Sequence, residues 1–183
     1  MLIYKEEAIK EFVERFLAGD KEAFNAMGRL IASDIVNISY RYVANYDDAK
    51  DVCQEVLVKL YKKLGMFRQA SKISTWIYRL TINTAIDFLR RGKRIFSLRE
   101  ETLEDTESVN KMGEEIEKND DRSLIKEALA KLPLRQKNAI ILRHFEGLKI
   151  RQISKVLGCS QSSVKTHLTR GLEHLRQEIG GKP

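Results

Sequence analysis

Apolar residues recur at spacings of three and four along almost the whole chain, whereas alternation of apolar and polar residues is nowhere sustained. This period places apolar side chains on one face of successive helices and predicts an all-α protein. In the first half of the chain it predicts four helices, which run from Tyr4 to Ala18, from Lys21 to about Val43, from Asp48 to Leu64 and from Thr75 to about Arg91.

Turn-forming residues separate these four helices. Gly19 can end the first helix, because glycine readily adopts a left-handed backbone, and Asp20 can cap the second. The stretch Asn45-Tyr46-Asp47 predicts a break before the third helix, and residues 65–74 predict a loop before the fourth.

The last 50 or so residues predict shorter helices around tight turns. Pro133 suits the first turn of a helix from Leu134 to Phe145, which Gly147 can close. A second helix is expected from about Lys149 to Leu157, with Gly158 in the left-handed turn that follows it.

A third helix after this turn carries a basic outward face. Ser160 or Ser162 can cap it. Its inward stripe is predicted to consist of Val164, Leu168, Leu172 and Leu175. The outward side chains of its N-terminal half are Lys165, Thr166, His167, Thr169 and Arg170. Two helices around a tight turn, the second with a basic outer face, predict a helix-turn-helix that reads the major groove of duplex DNA.

The segment 95–121 differs from both ends of the chain, since it is polar, acidic and weakly periodic. Such composition is typical of a flexible linker. We therefore predict two small helical domains, residues 1–94 and 122–183, joined by an acidic linker over 95–121. The charges follow the same division, with a net charge of +5 for residues 1–94, −6 for 95–130 and +8 for 131–183.

The overall net charge of +7 favours an anionic partner, first of all nucleic acid. Within the first domain, however, residues 1–58 carry −4 and residues 59–94 carry +9. The exposed side of the third helix is predicted to present Asp48, Asp51, Gln54, Glu55 and Val58. This acidic row either docks on a basic partner or only keeps the helix soluble.

Cations lie beside aromatic residues in the segment 63–94, where Phe67 is followed by Trp76 and Tyr78. This combination suits single-stranded nucleic acid, because charges follow the backbone while rings stack on unpaired bases. Asn83 and Asp87 lie one helical turn apart, and two arginines follow. The alternative for the aromatic residues, Trp76 in particular, is an ordinary place in the core.

No cofactor or metal is expected. His144, His167 and His174 lack the spacing of zinc ligands, and Cys53 and Cys159 are expected to be free thiols. No run approaches the roughly 18 apolar residues of a membrane span, and the N-terminus does not look like a signal peptide. These features predict a cytoplasmic protein that does not insert into a membrane.

Two stretches carry a resemblance to a known family. The residues "DDAKDVCQEVLVKLYKKL" and "FRQASKISTWIYRLTINTAIDFLRR" resemble region 2 of bacterial sigma-70-type factors, in particular the extracytoplasmic-function (ECF) group. The residues "LPLRQKNAIILRHFEGLKIRQISKVLGCSQSSVKTHLTRGLEHLR" resemble region 4 of the same group. The two motifs occur in the right order and cover roughly residues 10–94 and 122–178.

This resemblance implies a subunit of RNA polymerase rather than an enzyme in its own right, and one that an anti-sigma factor commonly holds inactive. It implies that core polymerase is bound by Asp48, Asp51, Gln54, Glu55 and Val58. It assigns the −10 promoter element, with a flipped base, to Phe67, Arg68, Gln69, Ala70, Ser71, Lys72, Asn83, Asp87, Arg90 and Arg91. It assigns the −35 duplex to Arg143, Lys165, Thr166, His167, Thr169 and Arg170.

The sequence also departs from the family's pattern. The loop reads "FRQAS" where the family usually has glycine and an acidic residue after the arginine, and His167 and Thr169 stand where larger or more basic residues are common. The main alternative is a two-domain helix-turn-helix regulator that binds duplex DNA without polymerase. A nucleic-acid-processing enzyme is disfavoured, since the sequence offers no carboxylate cluster, histidine pair or phosphate-binding loop.

Overall fold

The computed structural model describes residues 1–67, 72–100 and 120–180, and their side chains except those of 93–100 and 120–123. Within these ranges every regular element is helical, which confirms the predicted fold class. The N-terminal unit consists of α1 (Glu6–Leu17), α2 (Lys21–Val43), α3 (Tyr46–Lys63) and α4 (Ile73–Glu100). The C-terminal unit consists of α5 (Asp120–Lys131), α6 (Leu134–Ile140), α7 (Ile150–Leu157) and α8 (Gln161–Gly180).

Side-chain caps fix the starts of α2 and α3. The Asp20 carboxylate accepts a hydrogen bond from the Ala23 amide, as predicted. Asn45 does the same for α3, where its side-chain oxygen accepts from the amides of Asp47 and Asp48. Helix α3 therefore begins at Tyr46, two residues before the predicted start, because the cap is Asn45 itself.

Two predicted boundaries in the N-terminal unit are wrong. The first helix is divided, because a 3₁₀ turn over Leu2–Lys5 precedes α1. Helix α4 continues to Glu100, past the predicted end at Arg91 and into the segment predicted as linker. Residues 92–100 contain one glycine and no proline, so the sequence has no strong helix breaker that would end α4 at Arg91.

The C-terminal unit has the predicted helix-turn-helix. Gly147 and Gly158 both have positive φ angles, +62° and +63°, and end their helices as expected. The predicted helix from Leu134 to Phe145 is not uniform, since it changes after Ile140 to a π-helical turn. The Glu146 amide accordingly bonds to the carbonyl of Ile141, five residues before it.

The predicted inward stripe of α8 needs one correction. Val164 is fully buried and Leu168 and Leu175 are half-buried, but Leu172 is 37% exposed. Gly171 takes the inward position instead, and a Cβ atom there would lie 2.9 Å from Cγ1 of Ile140. The closest approach of α8 to α6 is therefore made by a residue without a side chain, which a search for apolar periodicity passes over.

The hydrophobic core continues from one unit into the other. Helices α2, α3 and α4 enclose Ile31, Val56 and Ile77, all fully buried. The same cluster of contacting buried residues includes Leu148 and Ile153 of the C-terminal unit. The two units consequently pack against each other directly, with α7 lying on α4.

Candidate nucleic-acid interface

The acidic row of α3 lies mostly at the surface. Asp51 and Gln54 are exposed, and Val58 keeps 51% of its surface accessible although it is aliphatic. Asp48 is half-buried, and its pKa is raised by that burial and by the neighbouring carboxylates of Asp51 and Asp47. The row thus concentrates negative charge around an exposed apolar side chain, which suits docking on a basic, partly apolar surface.

Glu55 also forms an ion pair with a residue of α4, which the sequence did not predict. Its two carboxylate oxygens accept hydrogen bonds from Arg91 on α4, at 3.2 and 2.6 Å, and Lys59 lies 2.8 Å from one of them. The Arg91 guanidinium, followed by Lys59, lowers the pKa of Glu55. One residue predicted to bind polymerase and one predicted to bind −10 DNA therefore form an ion pair between α3 and α4.

The aromatic residues of the segment 63–94 lie in two different environments. Phe67 and Trp76 form a half-buried pair, with ring centroids 5.4 Å apart. Tyr78 is instead buried in the core, so its ring is not available to stack on a base. Lys72 is exposed, whereas Arg68, Gln69, Ala70 and Ser71 lie outside the described residues.

The first turn of α4 is capped from another helix. The two carboxylate oxygens of Glu6, on α1, accept hydrogen bonds from the amides of Ile73 and Ser74 at 2.9 and 3.0 Å. A carboxylate at this position satisfies two amides that lack partners within the helix and interacts favourably with the helix dipole. Glu6 thereby fixes the chain one residue after Lys72, at the end of the predicted −10 loop.

Asn83, Asp87 and Arg90 lie along one exposed face of α4. Arg90 approaches the Asp87 carboxylate at 3.7 Å, an exposed contact of little energetic weight. All three residues line a cleft of about 470 Å³ whose opposite wall belongs to the C-terminal unit. That wall includes Arg135, Leu157 and His167, so a residue predicted to read the −35 element shares this cleft with residues predicted to read the −10 element.

The N-terminal half of α8 presents most of its predicted reading face to solvent. Ser160 caps it, since its hydroxyl accepts a hydrogen bond from the Ser163 amide at 3.0 Å. The exposed side chains of this face are Lys165, Thr166, Thr169 and Arg170, whereas His167 is half-buried. Arg143 is exposed on the π-helical turn and donates a hydrogen bond to the carbonyl of Leu148.

Buried polar contacts join the two units where the sequence gave no indication of them. The Tyr78 hydroxyl donates to Glu146 at 3.0 Å, and Arg41 approaches the same carboxylate at 3.8 Å. The Tyr42 hydroxyl donates to the side-chain oxygen of Asn138 at 2.8 Å. These pairs are separated by about 70 to 105 positions in the chain, and no local spacing signals them.

Arg79 makes the corresponding contact between α4 and α7. Its Nε donates to the carbonyl of Val156 at 3.0 Å, and a terminal nitrogen donates to the carbonyl of Lys155. These carbonyls belong to the last turn of α7, where peptide oxygens lack partners within the helix. A cation at this helix end is favourable because the dipole is negative there.

Burial shifts the pKa values of two ionisable groups near the contact between the units, Glu146 and Lys137, in opposite directions. It raises the pKa of Glu146, although Tyr78 and Arg41 act in the other direction. It lowers the pKa of Lys137, whose ammonium lies 5.4 Å from the ring centre of Tyr42. Both groups are therefore less easily charged in this contact than in water.

Metal sites, membrane-spanning helices and disulfides were sought in the part of the chain that the structure describes. Its His, Cys, Asp and Glu side chains form no group that could hold a metal ion. None of its helices is long and apolar enough to cross a membrane. Cys53 is buried, Cys159 is half-buried, and both are free thiols.

Comparison with known proteins matches both units. Residues 29–95 match Sigma-70 region 2, and residues 122–175 match Sigma-70, region 4. The chain is 38% identical to the RNA polymerase sigma factor SigV of Bacillus subtilis, over 80% of this chain and 84% of that protein. This chain belongs to the sigma-70 family. Its similarity to SigV and to ECF sigma factors such as SigW of B. subtilis places it in the ECF group.

This chain is also similar to other sigma factors over most of its length. The chain is 32% identical to the RNA polymerase sigma-H factor of Pseudomonas aeruginosa, over 95% of each chain. Its fold is that of the sigma factor RpoE of Bartonella quintana, solved in complex with the anti-sigma factor NepR, with a TM-score of 0.65 and 19% identity. That likeness covers 87% of this chain and 98% of RpoE, and it supports the two-unit helical architecture.

Proposed function

We propose that this ECF sigma factor binds core RNA polymerase, recognises the −35 and −10 elements of its promoters and promotes strand opening. Residues 1–94 would dock on polymerase and open the −10 element, residues 122–183 would read the −35 duplex, and the acidic segment 95–121 would link them. The protein itself would carry out no catalysis. This division accounts for both the charge pattern and the two family matches.

One observation carries this proposal further than the alternative of a simple regulator. The N-terminal unit combines an exposed acidic row on α3 with an exposed polar face on α4 that holds Asn83 and Asp87. A regulator that only binds duplex DNA needs the helix-turn-helix alone. An additional docking surface and a separate polar face suit a subunit that must hold polymerase and contact opened DNA.

The remaining partners follow from the same assignment. We propose that an anti-sigma factor binds this chain, because an anti-sigma factor is bound to RpoE of B. quintana in the structure of that relative. We place its activity in the cytoplasm, where promoter DNA and polymerase are found. The chain would bring no cofactor or metal to transcription initiation.

Run-off transcription with purified core polymerase tests this function. The protein is expected to direct specific transcripts from a pool of genomic promoter fragments, and core polymerase alone is not. Arg170→Ala and Lys165→Ala should weaken initiation at these promoters. A lost base contact costs about 1–3 kcal/mol and relaxes sequence preference, whereas a lost phosphate contact weakens all sequences alike.

The same reagents distinguish the alternative. A duplex-binding regulator would retard promoter fragments by itself, fail to bind core polymerase and support no specific transcript. That combination of results would overturn the proposal. The Arg29→Ala variant serves as a control for the arginine substitution, since Arg29 is an exposed residue of α2 outside the proposed interfaces.

A further inference from the structure

One ion pair joins the row proposed to dock on polymerase to the helix proposed to contact −10 DNA. Arg91 on α4 donates to the two carboxylate oxygens of Glu55 on α3, at 3.2 and 2.6 Å. Both side chains remain partly at the surface, 53% exposed for Arg91 and 29% for Glu55. The pair is therefore not locked inside the core, and an outside partner can reach either member.

The pair occupies the groups with which each residue would meet its own partner. Two bonds from Arg91 and one contact from Lys59 use three of the roughly four acceptor positions of the Glu55 carboxylate. A basic group of polymerase therefore cannot make two hydrogen bonds to Glu55 while Arg91 stays. Both terminal nitrogens of Arg91 face Glu55, so the guanidinium must turn away from α3 before it can hold a DNA phosphate in the same bidentate way.

Lys59 provides a second connection that does not depend on Arg91. Its ammonium lies 2.8 Å from Oε1 of Glu55, one turn away on α3, and donates to the hydroxyl of Thr84 on α4 at 3.1 Å. Thr84 is buried, so this contact joins the two helices beside the exposed ion pair. When Arg91 leaves, Lys59 still holds Glu55 in the docking row and still connects α3 to α4.

The exposure of the pair also suits exchange. Exposed ion pairs contribute little to stability, because solvent screening and the ordering of two long side chains offset most of the attraction. A partner that offers an equivalent charge can therefore replace Arg91 at Glu55, or replace Glu55 at Arg91, at little cost.

We propose that Arg91 competes with core polymerase for Glu55, and that polymerase binding transfers Arg91 from Glu55 to the backbone of −10 DNA. This inference rests on the proposed function, which supplies the docking role of Glu55 and the DNA role of Arg91. When one partner has broken the pair, the other no longer has to break it, so the two binding events favour each other by the same factor. Arg91 thereby affects the affinity for polymerase as well as for DNA.

Arg91→Gln in the full-length chain tests the competition for Glu55. It should bind core polymerase about threefold more tightly than the parent, since an exposed ion pair changes an equilibrium constant only a few-fold. Arg90→Gln removes the same charge one position away, where the arginine approaches Asp87 and not Glu55. It should weaken DNA binding but should not tighten polymerase binding. In the Glu55→Gln background, Arg91→Gln should bring no gain in polymerase affinity, because the pair is already lost.

Glu55→Gln tests the transfer of Arg91 to DNA. Without polymerase, it should bind a mixed-sequence single strand of about 12 nucleotides roughly threefold more tightly than the parent, because Arg91 is released. A mixed sequence is sufficient, since a phosphate contact carries no base preference. Asp51→Asn removes a carboxylate of the same row that has no ion pair among the described residues, and it should leave DNA affinity unchanged. Fluorescence anisotropy of the labelled strand at low salt measures this difference.

The two assays fail in distinguishable ways. Arg91 does not compete for Glu55 if Arg91→Gln binds polymerase no more tightly than Arg90→Gln, or if its gain persists in the Glu55→Gln background. The transfer to DNA is wrong if Glu55→Gln binds the single strand no better than Asp51→Asn, absence of all binding included. If the parent and every variant fail to bind polymerase, the proposed function itself is wrong, while the DNA assay still decides whether Glu55 restrains Arg91.

Discussion

At the scale of single residues, neighbouring carboxylates that look alike in the sequence make different contacts in the structure. Glu6 and Glu7 are neighbouring acids in the first turn of α1, and the sequence gives no reason to separate them. Only Glu6 reaches the amides of Ile73 and Ser74, whereas Glu7 is exposed. A residue near one end of the chain therefore fixes the start of the helix that follows the predicted −10 loop.

Glu6→Ala should leave the amides of Ile73 and Ser74 without their acceptor and loosen the start of α4. We expect a loss of about 1–2 kcal/mol in the free energy of unfolding. We also expect less permanganate-reactive DNA at the −10 element with unchanged closed complexes. Glu6→Gln, which retains one acceptor oxygen, should recover part of both losses. Glu7→Ala is the matched control, and equal effects of Glu6→Ala and Glu7→Ala would refute this role.

Glu146 predicts a dependence of stability on pH. Its pKa is raised by burial, facing Tyr78 and Arg41, with Asp34 and the N-terminus nearby. The folded chain therefore binds a proton more readily than the unfolded chain does. The stability that this group contributes is fully present below its unfolded pKa and is lost as pH rises through the raised folded pKa.

The comparison of the parent with Glu146→Gln measures this effect. The difference in free energy of unfolding should shift in favour of the parent as pH falls from neutral towards 4.5. At neutral pH Glu146→Gln should be as stable as the parent or more so, because no charge is then buried. Urea titrations across this range provide the measurement, and a pH-independent difference would contradict the raised pKa.

At the scale of helices, the α3–α4 pair joins the predicted docking surface to the rest of the unit. Asp51 is exposed and appears in no ion pair of the described residues, whereas Glu55 bridges to Arg91 on α4. The acidic row that the helical period predicts therefore contains carboxylates with two different roles. Asp51 is free to bind a partner, whereas Glu55 also fixes the packing of α3 against α4.

Charge reversal should separate these roles. Asp51→Lys should weaken binding to core polymerase and leave the free energy of unfolding within about 0.5 kcal/mol of the parent, as is usual for exposed sites. Glu55→Lys should weaken binding and also lower stability, because it repels Arg91 and Lys59. Adding Arg91→Glu to Glu55→Lys should restore stability but not binding. If the double variant regains neither stability nor binding, the ion pair between Glu55 and Arg91 does not stabilise the packing of α3 against α4.

At the scale of the whole molecule, the continuous core couples the two units. Leu148 and Ile153 belong to the same buried cluster as Ile31, Val56 and Ile77. Separation of the units would expose apolar surface on both sides, which is unfavourable in water. The free chain is therefore expected to unfold as one cooperative body, although its sequence reads as two domains.

The single tryptophan makes this cooperativity measurable. Trp76 lies in the N-terminal unit, so its fluorescence reports that unit alone, whereas far-ultraviolet circular dichroism reports the helices of both. In the parent chain the two thermal transitions should coincide. In Arg79→Glu the two transitions should separate. The substitution removes the hydrogen bonds from Arg79 to the last turn of α7, so the contact between the units is weaker and each unit unfolds on its own. Separate transitions in the parent would show that the shared core does not couple them.

The sequence by itself determined the helices and much of the architecture. Local signals are enough for this, because a helical period, a capping Asp20 and a left-handed Gly158 each act within one or two turns of the chain. The exposed part of the predicted reading face of α8 followed from the same period. The motifs in the two basic ends were also sufficient for the family, as the matches over 29–95 and 122–175 confirm.

Only the tertiary structure decided which of several chemically similar residues face each other. Tyr78 became a buried donor to Glu146 rather than a stacking ring, and Gly171 rather than Leu172 took the inward place on α8. Tyr78 and Glu146 are 68 positions apart, and their meeting depends on how whole helices pack. Apolar periodicity shows which face of a helix is buried but not which element buries it. The packing of α7 on α4, which joins the two units, could therefore not be predicted from the sequence.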